Sequence, residues 1–371
     1  MTSKLFTPLA LGPQQLQNRI VVAPMCQYSA IDGLLQHWHQ VHLGTLAMSG
    51  AGLLILEATG VSAEARITPG CLGLYNNDHA AALKQQVENL RSLSDTCIGI
   101  QLAHAGRKAS SSLPWQGGDL IAVADGGWQT VAPSALPQKP GETEPLALDA
   151  AGLNKVRNDF QRAAERARDC GFDLVEIHMA HGYLMHQFLS PVANQRTDEY
   201  GGSLENRLRL PLEVFDIVRA ACSDSMSVGI RLSAYDWVAD GWDVAQSIEL
   251  SKALQSRGCN FIHVSSGGVA HEQKIALEPG YQVPFARDIK AALNIPVIAV
   301  GLITEPQQAE QIVANGEADA IALARGLLND PRWPWRAAAE LGGTVNAPSQ
   351  YWRCLPGGTP RIFGDTVFGA R

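Results

Sequence analysis

The sequence predicts a closed (β/α)8 barrel of eight parallel strands with outer helices, and three observations predict it. Eight short runs are nearly all apolar and rich in β-branched residues, the pattern of strands buried on both faces. A longer amphipathic segment at helical spacing separates each run from the next. The order helix, glycine, short strand, polar loop then recurs down a chain of 371 residues, long enough for one such barrel.

The predicted strands are Arg19–Val22, Leu53–Glu57, Ile98–Leu102, Leu174–Ile177, Val228–Leu232, Phe261–Val264, Pro296–Val300 and Ala320–Leu323. The clearest helix runs from Leu148 to Asp169. There Val156, Phe160, Ala163, Ala164 and Ala167 fall three and four apart, and Gly171 stops it. A second covers Glu305–Asn315, with Thr304 as the expected N-cap and Pro306 in the first turn. A doubly wound sheet would need a glycine-rich turn after its first strand. Gly50-Ala51-Gly52 instead precedes a strand and lacks the third glycine. Residues 110–145, rich in Gly, Pro, Ser and Trp, form a long loop after the third strand, and 331–371 form a C-terminal tail. The whole chain, 1–371, is expected to be one domain.

Composition excludes several classes. Hydrophobic content of 46% supports an ordinary core and argues against disorder. A formal charge of −7 without a Lys/Arg run argues against nucleic acid. The N-terminus MTSKLFTPLALGPQ lacks the pattern of a secretory signal, and no window is apolar for about 18 residues, so neither secretion nor a membrane span is expected. The cysteines, 26, 71, 97, 170, 222, 259 and 354, are scattered and form no C-x-x-C pair. That suits a reducing, cytoplasmic setting and predicts no zinc or iron–sulfur site.

Reactive groups in such barrels lie at the C-terminal ends of the strands. Ala23-Pro24-Met25-Cys26-Gln27-Tyr28 follow the first strand, and Gln101 to Lys108 close the third. His178-Met179-Ala180-His181-Gly182-Tyr183 follow the fourth, Arg231 lies in the fifth, and Gly301 and Arg325-Gly326 end the seventh and eighth. Gly301 with Arg325 marks the usual barrel phosphate site. Each taken alone reads equally as a turn glycine and a surface ion pair. His178 and His181 leave a strand three residues apart, so two imidazole N–H groups can hold a carbonyl oxygen or oxyanion, with Tyr183 as proton source. A metal site, as in a barrel hydrolase, and a core histidine are the competing readings. A buried Arg231 needs a fixed anionic or electron-rich partner: the pyrimidine end of a reduced flavin, or Glu57 or Glu176. Cys26 by itself reads as a small buried hydrophobe.

Four longer motifs give the sequence a family resemblance. They are Asn18-Arg19 with Ala23-Pro24-Met25-Cys26-Gln27-Tyr28; Gln101-Leu102-Ala103-His104-Ala105-Gly106-Arg107; Glu176-Ile177-His178-Met179-Ala180-His181-Gly182-Tyr183-Leu184; and the run from Asn194 to Arg207. Over nearly its whole length the chain resembles the Old Yellow Enzyme family, in the branch called thermophilic-like. The resemblance implies non-covalent FMN, NADPH or NADH as hydride donor, and an activated alkene as substrate. It implies that Ala23, Pro24, Met25, Cys26, Ala58, Gln101 and Arg231 line the flavin, and that Val300, Gly301, Ala324 and Arg325 take its phosphate. His178 and His181 would bind the substrate's electron-withdrawing group, Tyr183 would give the proton, Tyr28 would touch substrate, and Cys26 would tune the flavin. Cys26 and His181 stand where other branches carry Thr and Asn. Arg353 would reach the active site of a neighbouring subunit in a homodimer or homotetramer. Some members of the branch have a tryptophan where this chain reads Ala299-Val300-Gly301, so their substrate pocket does not carry over. Relatives with an iron–sulfur cluster and extra domains are excluded by the cysteines and the length. A ligand-binding barrel without activity remains a third reading.

Overall fold

In the computed structural model, which describes residues 3–366, eight strands close into a parallel barrel. They are β1 (Ile20–Val22), β2 (Leu53–Gly60), β3 (Cys97–Ala103), β4 (Leu174–Met179), β5 (Ser227–Ser233), β6 (Ile262–Ser265), β7 (Val297–Val300) and β8 (Ala320–Leu323). Neighbours in sequence are neighbours in space, and β8 pairs with β1 through Ile321 opposite Ile20. Every predicted strand is present. β2 runs on to Gly60 because its pairing with β3 slips between Leu56 and Ala58, and the strand resumes with Ala58 opposite Gln101.

The outer helices follow the expected periodicity. The helix Ala150–Asp169 buries Val156, Phe160, Ala163, Ala164 and Ala167. Asp149 caps it by accepting the Gly152 N–H at 2.8 Å, and Gly171 leaves it at φ +84°. The helix expected over Glu305–Asn315 spans Pro306–Ala314. Its N-cap is Glu305, not Thr304, and no side chain caps it. Pro306 takes the first helical position, where its missing N–H costs nothing, and that sets the start one residue later.

Below the barrel, strands Leu9–Leu11 and Gln14–Leu16 pair as a hairpin. Leu9, Leu11 and Leu16 plug the N-terminal end against Val21, Leu53, Leu174, Phe261 and Ile298. The opposite mouth carries the site residues predicted at the strand ends. The loop after β3 holds three short 3-10 turns and a two-residue strand pair, Val131–Ala132 with Leu146–Ala147. Arg107 ties it down: its guanidinium donates to Leu136 O at 3.2 Å, Pro137 O at 3.3 Å and Val269 O at 2.7 Å. Among the described residues no helix is long and apolar enough to cross a membrane.

Candidate active site

His178 belongs to β4, and the chain then turns sharply through His181 and Gly182, at φ +58° and +74°. A Cβ on Gly182 would lie 2.1 Å from Gly268 O, so only glycine lets this turn close against the loop after β6. The turn is held from all sides. Gly182 N–H donates to His186 Nδ1 at 2.9 Å, Gln187 Nε2 donates to Gly182 O at 2.7 Å, and Lys108 Nζ donates to His181 O at 2.8 Å and Gly268 O at 2.9 Å. The His178 ring centroid lies 5.1 Å from that of His181 and 4.8 Å from that of Tyr183. Lys108 Nζ sits 5.3 Å from the Tyr183 ring centre.

The hydrogen bonds fix how these rings act. His178 Nδ1 accepts the Ala180 N–H at 3.1 Å, so a neutral ring carries its proton on Nε2. His181 Nε2 lies 2.8 Å from Ser265 Oγ. The Gln282 amide, which donates to Val300 O at 2.8 Å, offers Oε1 to Ser266 Oγ at 2.7 Å and to Ser265 Oγ at 3.3 Å. Burial, then the Arg231 charge, holds both His178 and His181 well below the ordinary imidazole pKa, so both are neutral near pH 7. Burial pushes the Tyr183 phenol well above its ordinary value, so it keeps its proton. Burial lowers Lys108 to about 8.

A pH dependence of stability follows. Burial brings the neighbouring His104 down to about 4, and His178 is lowered in the same direction. The unfolded chain protonates these imidazoles near pH 6.5 while the folded chain does not. The unfolded state therefore binds more protons below about 6.5, and stability falls as pH drops from there, by up to about 1.4 kcal/mol per pH unit for each histidine. Glu57, raised by burial, takes up its proton in the folded chain first and offsets part of the loss at the acid end. Urea midpoints across this range check the prediction; a flat profile from pH 7 to 5 would contradict it.

Arg231 is 7% exposed and stands between His178 and His263 in the register of β4, β5 and β6. It forms no ion pair with Glu57 or Glu176, the two partners the sequence left open. Glu57 faces His39 Nε2 at 3.3 Å; Glu176 accepts from Gln101 Nε2 at 2.7 Å and pairs with His263 Nδ1 at 2.8 Å. Arg231 Nε is buried without a hydrogen-bond partner among the described residues. A buried guanidinium in that state calls for an electron-rich or anionic group at the mouth. The Gln101 amide is held by Glu176 through its nitrogen, which leaves Oε1 as an acceptor.

The other sequence-predicted residues ring the same mouth. Ala23 N–H donates to Leu323 O at 3.0 Å, which joins the ends of β1 and β8. Pro24, Met25 and Cys26 follow half-buried, and Ala58 is buried opposite Gln101. Tyr28, at φ +53°, packs edge-on to Trp115 of the long loop at 5.6 Å. Val300 ends β7, Gly301 has φ +124°, and Ala324 leads into the helical turn Arg325–Asn329. A Cβ on Gly326 would meet nothing closer than 4.0 Å, so the backbone here is open to a ligand. Arg325 is exposed and forms no ion pair among the described residues. Arg353 is not at this mouth: it is exposed and lines a surface cavity with Trp352, Leu355, Pro356 and Arg361. Among the described residues no third His, Cys, Asp or Glu joins His178 and His181 in a group with metal-ligand spacing, which removes the ground for the hydrolase reading. Lys108, Ser265, Gln282, His186 and Asp236 went unassigned in the sequence; their roles come from contacts with residues far along the chain.

A family model described as NADH:flavin oxidoreductase / NADH oxidase matches residues 4–342. The chain is 42% identical over 355 residues to an NADPH dehydrogenase of Geobacillus sp. (strain WCH70), covering 95% of this chain and 99% of that one. It is 40% identical over 355 residues to an NADPH dehydrogenase of Bacillus subtilis (strain 168), with coverage of 95% and 99%. Among solved structures, morphinone reductase matches with a TM-score of 0.77 at 31% identity, covering 94% of this chain and 92% of that one. An old yellow enzyme homologue from Zymomonas mobilis matches with a TM-score of 0.74 at 26% identity, with coverage of 90% and 92%. The chain belongs to the NADH:flavin oxidoreductase / NADH oxidase family, a family of FMN-dependent oxidoreductases of the Old Yellow Enzyme type.

Proposed function

We propose that the enzyme oxidises NADPH or NADH and reduces the activated C=C bond of α,β-unsaturated carbonyls, maleimides or nitro compounds. The observation that carries this reading is the Arg231 guanidinium, whose buried Nε has no hydrogen-bond partner among the described residues, at the same mouth as a neutral histidine pair and a protonated tyrosine. FMN, when bound, supplies the hydride chemistry. The protein's own groups supply position and electrostatics. Arg231 and the Gln101 Oε1 hold the polar edge of the flavin ring, Ala23, Pro24, Met25 and Ala58 bear on its face, and Cys26 adjusts its potential. The backbone of Val300, Gly301 and Ala324, with the Arg325 guanidinium, takes the phosphate. His178 Nε2–H donates to the substrate's oxygen and stabilises negative charge there, and the His181 Nε2–H, which rests on Ser265 Oγ, turns to it as the second donor. Tyr183 gives its proton to the α-carbon, and Tyr28 closes the pocket beside Trp115. Arg353 completes the site of a neighbouring copy in a homodimer or homotetramer, and sedimentation with Arg353→Ala kinetics tests that assembly.

Absorbance titration tests the central reading. The purified protein is expected to be yellow, to bleach with NADPH and to regain its colour on addition of cyclohexenone. A colourless protein that takes up no FMN after reconstitution would refute it. Arg231→Met is expected to weaken FMN binding roughly 10- to 100-fold, the loss of about 1.5–3 kcal/mol of charge-assisted hydrogen bonding. Quenching of free FMN fluorescence on titration with apoprotein measures this; unchanged affinity would place the ring elsewhere.

A further inference from the structure

Cysteines 26 and 71 are 45 positions apart in the sequence and belong to no motif that pairs them. The fold brings them together with a carboxylate. The two Sγ atoms and one oxygen of Glu57 all lie within 4.8 Å of one another. A tetrahedral zinc ion with Zn–S bonds of about 2.3 Å holds its sulfurs roughly 3.8 Å apart, so the group closes on an ion with small side-chain movements. We propose that Cys26, Cys71 and Glu57 form a binding site for a thiophilic divalent cation such as Zn²⁺, distinct from the histidine pair.

The surroundings support three ligands and an open fourth position. Glu57 is 4% exposed and Cys71 is fully buried, whereas Cys26 is half-buried and leaves an entry path from the barrel mouth. Two groups orient the carboxylate from behind. Gln27 N–H donates to one oxygen at 3.2 Å, and His39 Nε2 faces the other at 3.3 Å. His39 Nδ1 accepts the Gln36 N–H at 3.0 Å, so the proton of the neutral ring is on Nε2 and points at Glu57. His39 Nε2 faces the carboxylate within ion-pair distance without completing a hydrogen bond, and the backbone N–H of Gln27 is the donor that fixes this prospective ligand. Thr68 Oγ1 lies 3.3 Å from Cys71 Sγ and orients that thiol. Two thiolates and a carboxylate match a soft dication, and thiolate ligands favour zinc-like ions over magnesium or calcium. Cys26 also belongs to the flavin-lining set proposed above, so an ion here stops turnover; that consequence rests on the flavin reading, and the binding itself does not.

The test uses the reduced holoenzyme titrated with Zn²⁺ alone, and in parallel with ¹¹³Cd²⁺. One ion per chain is expected, with release of about two protons in weak buffer as the thiols ionise. The ¹¹³Cd resonance is expected in the thiolate range, turnover is expected to fall, and EDTA is expected to restore it. Cys71→Ser and Glu57→Gln should each weaken Zn²⁺ binding by at least roughly tenfold. Cys71→Ser should turn over normally without zinc. Wild-type affinity in Cys71→Ser, binding without proton release, or no retained ion would each overturn the site. Zinc bound as expected to a protein that takes no FMN would overturn only the flavin reading.

Discussion

Tyr183→Phe is expected to slow alkene reduction by about 10²- to 10⁴-fold, the usual worth of a positioned general acid, while oxidation of NADPH proceeds at the wild-type rate. The phenol meets both requirements of the role. Its ring packs at 4.8 Å on His178, the residue proposed to hold the substrate's oxygen, and burial keeps it protonated far above neutral pH. Phenylalanine keeps that packing and removes only the O–H, so the two half-reactions should separate. Lys108, 5.3 Å from the ring centre, adds a cation that eases build-up of negative charge on the oxygen as the proton leaves. Stopped-flow measurement of each half-reaction is the check, and equal losses in both would show that Tyr183 orders the site without supplying the proton.

Asp236→Ala is expected to cost about 3–5 kcal/mol of stability, the summed penalty of leaving three buried donors without an acceptor. Asp236 is fully buried after β5 and accepts three hydrogen bonds: from His186 Nε2 at 2.8 Å, Ser190 Oγ at 2.6 Å and Trp242 N–H at 2.7 Å. Alanine leaves all three donors without an acceptor in a dry interior. The damage should also reach the site. His186 Nδ1 accepts the Gly182 N–H, and its Nε2 proton is directed by Asp236, so one imidazole connects the buried carboxylate to the turn carrying His181 and Tyr183. Denaturant unfolding measures the stability loss, and the KM for an enone is expected to rise with it. A loss below about 1 kcal/mol would mean that water replaces the carboxylate, and that Asp236 does not support this turn.

The sequence disclosed the site unevenly. Glycines and prolines at strand ends, and the histidines three apart, mark the mouth because each strand end is a local event in the chain. Tyr183 and Arg231 stand out for the same reason: a polar group within or beside an apolar run is conspicuous without any partner in view. The cap of the helix Pro306–Ala314 was misplaced by one residue, because Thr304 is the better capping residue but Pro306 sets the start. The supporting groups were invisible. Lys108 holds His181 from 73 positions away, Ser265 meets it from 84, and Asp236 meets His186 from 50. Scattered cysteines read as unrelated until the slip in β2 beside Glu57 and the loop bearing Cys71 brought them together.

What the sequence determined by itself was the barrel, its strand and helix order, and the strand ends at which the candidate residues gather. Periodicity and turn residues are properties of neighbours in the chain, so they can be read before the chain folds. Tertiary structure alone decided what His181 and His186 meet at Nε2, why Arg231 Nε has no hydrogen-bond partner among the described residues, and which thiols face one carboxylate. Those depend on contacts between residues tens to hundreds of positions apart and on the exclusion of water around them, and neither exists until the barrel has closed.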